Sequence, residues 1–240
     1  MNKQRLVLLC GHTVRSSVYV QTLAQAGIVP DAILIYGNRK SDIQSTRKLQ
    51  NVTVPGLVGV DPCLDLVDCL EELGWTYQEC LSESLSDIDL LASLAAQTPD
   101  LVVYSGYGGQ LVPKQLLQCV PFLHIHSGWL PDYRGSTTLY YQIIEQGVCA
   151  ASALLLDEFI DTGPILARKQ YPLPPPGVDV DYLYDNMIRA DLLVIVLTQW
   201  QAGLPWSLIS HQTDSPPYFI IHPLLKHMAL LAIDKKDRSS

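Results

Sequence analysis

Short apolar runs alternating with amphipathic stretches predict an α/β protein: a Rossmann-like, mostly parallel twisted sheet with helices on both faces. Segments 5–10, 31–36, 101–104 and 122–126 are apolar almost throughout rather than on alternate residues, as strands buried on both faces are. Helical periodicity fills most of the gaps between them, and parallel neighbours need such crossovers. Glycine-bearing turns follow the strands at Gly11-His12-Thr13 and at Ser105-Gly-Tyr-Gly-Gly109.

The elements follow in order. Residues 5–10 form a buried first strand, 16–26 a helix and 31–36 a second strand. Residues 38–51 are polar and read as a surface segment. A helix over 64–73 starts near Asp61-Pro62. A short strand over 75–80 leads to a helix over 84–96, with Ser86 or Asp87 as its cap. The strand 101–104 ends in the glycine-rich turn. Pro113 then sits in the first turn of a helix over 112–119. A strand over 122–126 is followed by a helix over 137–146 that stops at Gly147. Strands 149–156 and 165–173 flank the turn "DEFIDTG". The proline-rich "YPLPPPGVD" cannot pair as a central strand. Tyr182, Leu183, Met187, Ile188, Leu192 and Ile195 recur at helical spacing within 179–202. "HPLLKHMALLAI" reads as a last helix and "DKKDRSS" as a frayed end. Residues 1–173 are expected to form one domain, with 174–240 a helical C-terminal extension packed on it.

Composition narrows the classes of function. The chain has 240 residues, 48% of them hydrophobic, and a formal net charge of -8. Such a charge gives no broad attraction to nucleic acid or to anionic lipid. The apolar run 6–10 is too short for a leader and reads as a strand. No apolar stretch approaches the ~20 residues that cross a bilayer. The six cysteines show no CxxC spacing and are expected to be reduced, small apolar side chains in a cytoplasmic protein.

The stretch "VPFLHIHSGWLPDYRGSTTLYYQ", residues 120–142, carries the chemistry. In a strand, His124 and His126 project to one face, and Ser127-Gly128 ends the strand at the carboxyl edge, where parallel sheets build sites. Three readings follow from the residues alone. The pair is buried and merely hydrogen-bonded; or it ligates zinc, with Asp161 as a third ligand; or it does acid–base and oxyanion chemistry. For Asp161, the plain alternative is a turn residue in Asp-Thr-Gly.

The flanking residues favour the third. His124-Ile-His126-Ser127-Gly-Trp-Leu130-Pro131-Asp-Tyr133-Arg134-Gly135, followed by "LLLDEFIDTGPIL" with Asp161-Thr162-Gly163, resembles the folate-dependent formyltransferase family. Its members include methionyl-tRNA, glycinamide ribonucleotide and sugar N-formyltransferases. Their core reads Asn-x-His, then Ser-Leu-Leu-Pro-x-Tyr-Arg-Gly, with a downstream Asp-Thr-Gly. The likeness runs from the first strand through about Leu173. It implies the formyltransferase fold and transfer of a formyl group from N10 of 10-formyltetrahydrofolate, as donor co-substrate, to an amine. By resemblance, His126 polarises the formyl group, and Asp161 holds His126 and an ordered water and helps move the proton. His124 stands where the family has Asn, as a substitute oxyanion donor or as the mark of another donor.

The same resemblance places the pterin ring against Tyr107, Gly108, Gly109, Gln110, Leu111 and Val112, and against Glu158 and Ile160 of the "DEFID" turn. Ser127, Tyr133, Arg134 and Gly135 fall to the acceptor side; Arg134 either grips an anion or ties the turn. Gly11-His12-Thr13 and Arg15 open the first helix, whose amino end would suit an acceptor phosphate. A small amine is the expected acceptor: an amino sugar, a nucleotide-linked sugar or a specialised-pathway amine. Transfer-RNA is disfavoured by charge, no membrane partner or metal is expected, and a homodimer is left open. The alternatives are a different one-carbon or acyl donor, or a non-catalytic folate-binding module.

Overall fold

A computed structural model describes residues 4–39, 53–209 and 216–237. Among the described residues, seven strands form one sheet in the order β3-β2-β1-β4-β5-β6-β7. They are β1 (Leu6–Gly11), β2 (Ala32–Tyr36), β3 (Gln78–Cys80), β4 (Leu101–Ser105), β5 (Phe122–Ser127), β6 (Cys149–Leu155) and β7 (Ile165–Tyr171). Pairing is parallel from β3 through β5 and antiparallel at β5–β6 and β6–β7. The chain leaves β1 toward β2 and later returns to the other side of β1 as β4. Such a reversal is where open α/β sheets commonly bind ligands, at the carboxyl edge of the central strands.

The continuous apolarity of the strands is explained by two cores. Leu6, Leu8 and Cys10 of β1 join one, with Val18, Leu23, Ile188 and Val196. Val7 and Leu9 join the other, with Leu90, Leu94, Leu116 and Phe122. Each buried leucine contributes roughly 1.5–3 kcal/mol by leaving water. Cys10, Cys69, Cys80 and Cys149 sit in these cores, and burial pushes the Cys10 thiol far above its ordinary pKa.

The helices are α1 (Val14–Gln25), α2 (Leu66–Leu73), α3 (Ile88–Ala96), α4 (Lys114–Leu117), α5 (Thr138–Gln146), α6 (Asp185–Gln201) and α7 (Pro223–Asp237). Asp87 caps α3, accepting from the backbone N–H of Asp89 and Leu90. The expected helix over 112–119 shrinks to α4. Pro113 is extended (ψ 140°) and stands at its N-cap, because a residue before proline avoids helical geometry and Val112 is buried instead. A single π-helical turn, Val180–Tyr184, leads into α6. The expected frayed end is helical as far as Asp237. Most of the polar segment 38–51 lies outside the described residues.

Beyond residue 173 the chain returns to the same sheet. α6 packs on β5, β6 and β7 and along α1, and α7 packs on α5. Residues near 218 also add a short backbone ladder to the turn after β5: Tyr218 N–H donates to Arg134 O at 2.7 Å and Ser136 N–H to Tyr218 O at 2.9 Å. No described helix is long and apolar enough to cross a membrane.

Candidate active site

The carboxyl end of β5 carries both histidines, and the loop after β6 returns Asp161 to the same place. His126 Nδ1 lies 3.3 Å from Asp161 Oδ2, and both side chains are about nine-tenths buried (5% and 10% exposed). His126 Nε2 lies 2.6 Å from Tyr133 O and 3.1 Å from Thr138 Oγ1. A carbonyl only accepts, so Nε2 carries a proton. Nδ1 is then the nitrogen that faces the Asp161 carboxylate.

Local backbone explains why this geometry holds. Asp161 adopts φ 53°, in the left-handed region that aspartate tolerates better than most residues. Its Oδ2 also accepts from Gly135 N–H at 3.0 Å. Two residues on, a methyl group on Gly163 would sit 1.7 Å from Leu155 O, so only glycine lets the Asp-Thr-Gly turn press against the end of β6. Thr162 Oγ1 and Phe159 N–H both donate to Asp157, which closes the turn.

His124 differs from His126 in environment. It is half-buried, and its Nδ1 lies 3.4 Å from Tyr104 O, so Nδ1 carries the proton. Its pKa is pushed down to about 3, chiefly by burial and then by the Arg15 guanidinium; Arg189 and His126 act in the same direction and Asp161 opposes them. The ring is neutral near pH 7. The amide N–H expected at this position has no counterpart here, because the ring's one N–H is spent on Tyr104.

The two segments assigned to the pterin come together. Lys114 Nζ, just past Val112, lies 2.6 Å from Glu158 Oε1 of the downstream turn. Leu111, Phe159 and Ile160 are exposed, while Val112 is buried. Gln110 is taken up by the fold: its Oε1 accepts from Tyr36 OH at 2.7 Å and its Nε2 donates to Glu83 O. No methyl group at Gly108 or Gly109 would meet a neighbour, so that part of the loop stands open.

Tyr107 turns back toward the sheet. A methyl group on Gly11 would lie 2.8 Å from its Cε2, and one on Gly37 would lie 2.7 Å from its hydroxyl oxygen. The ring thus fills the carboxyl ends of β1 and β2. Its hydroxyl accepts from His12 N–H at 3.1 Å and donates to Tyr36 O at 3.3 Å. Arg15 also points inward, with Nε 3.3 Å from Ser105 Oγ and Nη2 donating to Gly106 O. The amino end of α1 is capped by Thr13, which accepts from Ser16 N–H.

The residues assigned to the acceptor side support the histidine–carboxylate pair. Tyr133 is buried, donates to Glu145 Oε2 at 2.9 Å and stacks on Tyr218 with ring centroids 5.9 Å apart. Its carbonyl accepts from His126 Nε2, and Gly135 N–H donates to Asp161. The Arg134 carbonyl accepts from Tyr218 N–H. Ser127 Oγ donates to Asp185 Oδ1.

Asp185 belongs to α6, and sequence reasoning missed its part. Arg189 Nε pairs with Asp185 Oδ2 at 2.9 Å, and Arg189 Nη1 donates to Ile125 O at 2.8 Å, between the two histidines. The signal was present: an acid and a base at i, i+4 among apolar residues of a buried helix face. Among the described residues no three His, Cys, Asp or Glu side chains gather as a metal site would need.

A helix-flanked, mostly parallel sheet with a His–Asp pair at its open edge is the architecture of a group-transfer domain of Rossmann type. The formyl transferase family model matches residues 4–198, and the chain belongs to that family. Over 126 residues it is 36% identical to a methionyl-tRNA formyltransferase of Chloroflexus aurantiacus, covering 50% of this chain and 40% of that protein. Over 146 residues it is 33% identical to the one from Trichlorobacter lovleyi, covering 58% and 43%. The chain thus spans less than half the length of these curated relatives. Solved structures share the fold: a 4-N formyltransferase from Francisella tularensis (TM-score 0.60, 15% identity, 97% of this chain and 88% of that one) and a sugar N-formyltransferase from a Shewanella species (TM-score 0.56, 19% identity, 95% and 87%).

Proposed function

We propose that this protein is an N-formyltransferase that moves the formyl group of 10-formyltetrahydrofolate to the amine of a small acceptor. One observation carries the reading: His126 Nδ1 and Asp161 Oδ2, far apart in sequence, lie 3.3 Å apart at the carboxyl edge of the sheet in a chain of the formyl transferase family. A formyl carbon under attack develops negative charge on oxygen and positive charge on the amine. An imidazole beside a carboxylate at that edge can donate to the one and take a proton from the other. The loop 107–112 and the turn bearing Glu158 and Ile160 suit a flat ring between them, with exposed Leu111, Phe159 and Ile160 as apolar walls.

A small acceptor is favoured over tRNA on two grounds. The net charge of -8 opposes a polyphosphate backbone. The Tyr107 ring fills the carboxyl ends of β1 and β2, and Arg15 is engaged internally, so neither is offered to a phosphate. An amino sugar or another small amine fits what remains.

The test is incubation with 10-formyltetrahydrofolate, a panel of amines and uncharged and methionyl-charged tRNA, read by mass spectrometry for a formylated product. Formylation of a small amine, lost in the Asp161→Asn and His126→Ala variants while the fold is retained, is the expected result. Formylation of methionyl-tRNA alone would overturn the acceptor class. Folate binding without transfer to any amine would leave a binding module instead.

A further inference from the structure

The turn 133–136 is held from two sides at once. Two of its backbone groups serve the histidine–carboxylate pair: Tyr133 O accepts from His126 Nε2 at 2.6 Å, and Gly135 N–H donates to Asp161 Oδ2 at 3.0 Å. The two groups that alternate with them serve Tyr218. Arg134 O accepts from Tyr218 N–H at 2.7 Å, and Ser136 N–H donates to Tyr218 O at 2.9 Å. One short run of backbone thus carries His126 and Asp161 on one side and a segment from beyond α6 on the other.

The contact is close-packed. A methyl group on Gly135 would lie 2.3 Å from Tyr218 O, 2.7 Å from Tyr218 N and 3.0 Å from Pro217 Cβ, so only glycine lets the two backbones approach this far. The Tyr218 ring adds a second hold. It lies nearly parallel to Tyr133, at 16° and 5.9 Å between centroids, and 4.5 Å from the Tyr141 ring of α5. Glu145 of α5 accepts from both hydroxyls, from Tyr133 at 2.9 Å and from Tyr218 at 3.4 Å. Three residues on, Ile221 N–H donates to Thr137 Oγ1 at 2.8 Å, and Thr137 stands at φ 52° between the turn and α5. The next residue, Thr138, places its hydroxyl 3.1 Å from His126 Nε2.

Resting on the formyl-transfer reading, we propose that residues 217–221 form a clamp that sets the His126–Asp161 geometry, with Tyr218 as a positioning residue for the reaction. Residues 133–136 lie between β5 and α5 and belong to neither, so no helix or strand of the sheet fixes them. Their bonds to the ring and to the carboxylate define a separation only while the turn itself is fixed. Tyr218 fixes it by backbone and by ring, and acts on the pair through the turn.

Tyr218→Ala removes the ring from Tyr133 and Tyr141, whereas Tyr218→Phe keeps it and loses only the hydroxyl. In Tyr218→Ala, kcat for formyl transfer should fall roughly 10- to 100-fold, the scale of a misplacement of about 1 Å in catalytic groups. KM for donor and acceptor should not change, and Tyr218→Phe should keep most of the wild-type rate. Nitrogen NMR of the histidine-labelled, ligand-free protein reads the pair without turnover. The His126 ring resonances should move in Tyr218→Ala and stay in place in Tyr218→Phe. A residue that only stabilised the fold would lower the melting temperature and leave those resonances unmoved. If Tyr218→Ala does not fold, Tyr218→Leu, which keeps an apolar side chain but no flat ring, is read in the same way. Wild-type kcat in the folded variant, or unmoved His126 resonances, overturns the proposal. So does a raised acceptor KM at constant kcat, which would make Tyr218 an acceptor contact. A wild-type protein that formylates no amine overturns formyl transfer, and the NMR comparison then decides alone whether the clamp holds the pair.

Discussion

At the scale of single residues, two histidines with one residue between them meet different surroundings. His126 faces a carboxylate at 3.3 Å and a carbonyl at 2.6 Å. His124 faces two guanidiniums and a carbonyl, with its pKa pushed down to about 3 by burial first and Arg15 second. The sign of the consequence follows. In the unfolded chain a histidine titrates near 6.5. Between 6.5 and about 3 the unfolded chain binds a proton that the folded ring refuses, so stability is full above pH 6.5 and falls as pH drops toward 3. The slope from this one group is at most about 1.4 kcal/mol per pH unit. His124→Asn should therefore lose less stability than wild type between pH 7 and pH 5 in urea unfolding. Parallel curves for the two proteins would show that the ring charges freely in the fold.

At the scale of elements, β5 is the strand that must not move, and α6 holds it. The Asp185–Arg189 pair is largely buried, at 18% and 14% side-chain exposure, and grips both Ile125 O and Ser127 Oγ. Removing one partner leaves a buried charge and a carbonyl unanswered. Arg189→Met should cost roughly 2–3 kcal/mol, near the lower end of what breaking a buried pair costs. The double variant Asp185→Asn with Arg189→Met should cost less than the sum of the singles by at least about 1 kcal/mol, because the orphaned carboxylate is gone. Thermal melts of the four proteins check this, and strict additivity would mean that the pair does not act as a unit. Such support was hard to read from sequence. Helical spacing identified α6, but it could not say which buried strand its polar pair would meet. A cap at Ser86 or Asp87 and a strand over 122–126 were legible from adjacent residues alone; the structure chooses Asp87 and carries the strand one residue further, to Ser127. The shortening of α4 turned on whether Pro113 would stand at the cap or inside the helix, which the burial of Val112 decides.

At the scale of the whole molecule, the seven described strands divide at β5 into a parallel part and an antiparallel part, and His126 and Asp161 meet at that junction. The sheet and the meeting of His126 with Asp161 were legible because two short motifs bracket one layer of the fold. The inward turn of Tyr107 was not, since it depends on Gly11 and Gly37 lying side by side on separate strands. Nor was the contact between two loops: Lys114, after the β4 loop, reaches Glu158, after β6, at 2.6 Å. These side chains are 56% and 50% exposed, so the pair contributes at most about 1 kcal/mol to folding. Its effect should instead fall on the donor, by holding together the two segments that would flank the pterin. Lys114→Ala should leave the melting temperature within roughly 2 °C of wild type, as surface changes do. The KM for the formyl donor should rise roughly three- to ten-fold, the equivalent of about 1 kcal/mol, with kcat unchanged. A lysine that bound the donor's carboxylates directly would give the same single-variant result, so the charge swap Lys114→Glu with Glu158→Lys separates the cases. A clasp is restored by the swap, and KM returns toward wild type. A swap that leaves KM as high as in Lys114→Ala would mean that the lysine meets the donor itself.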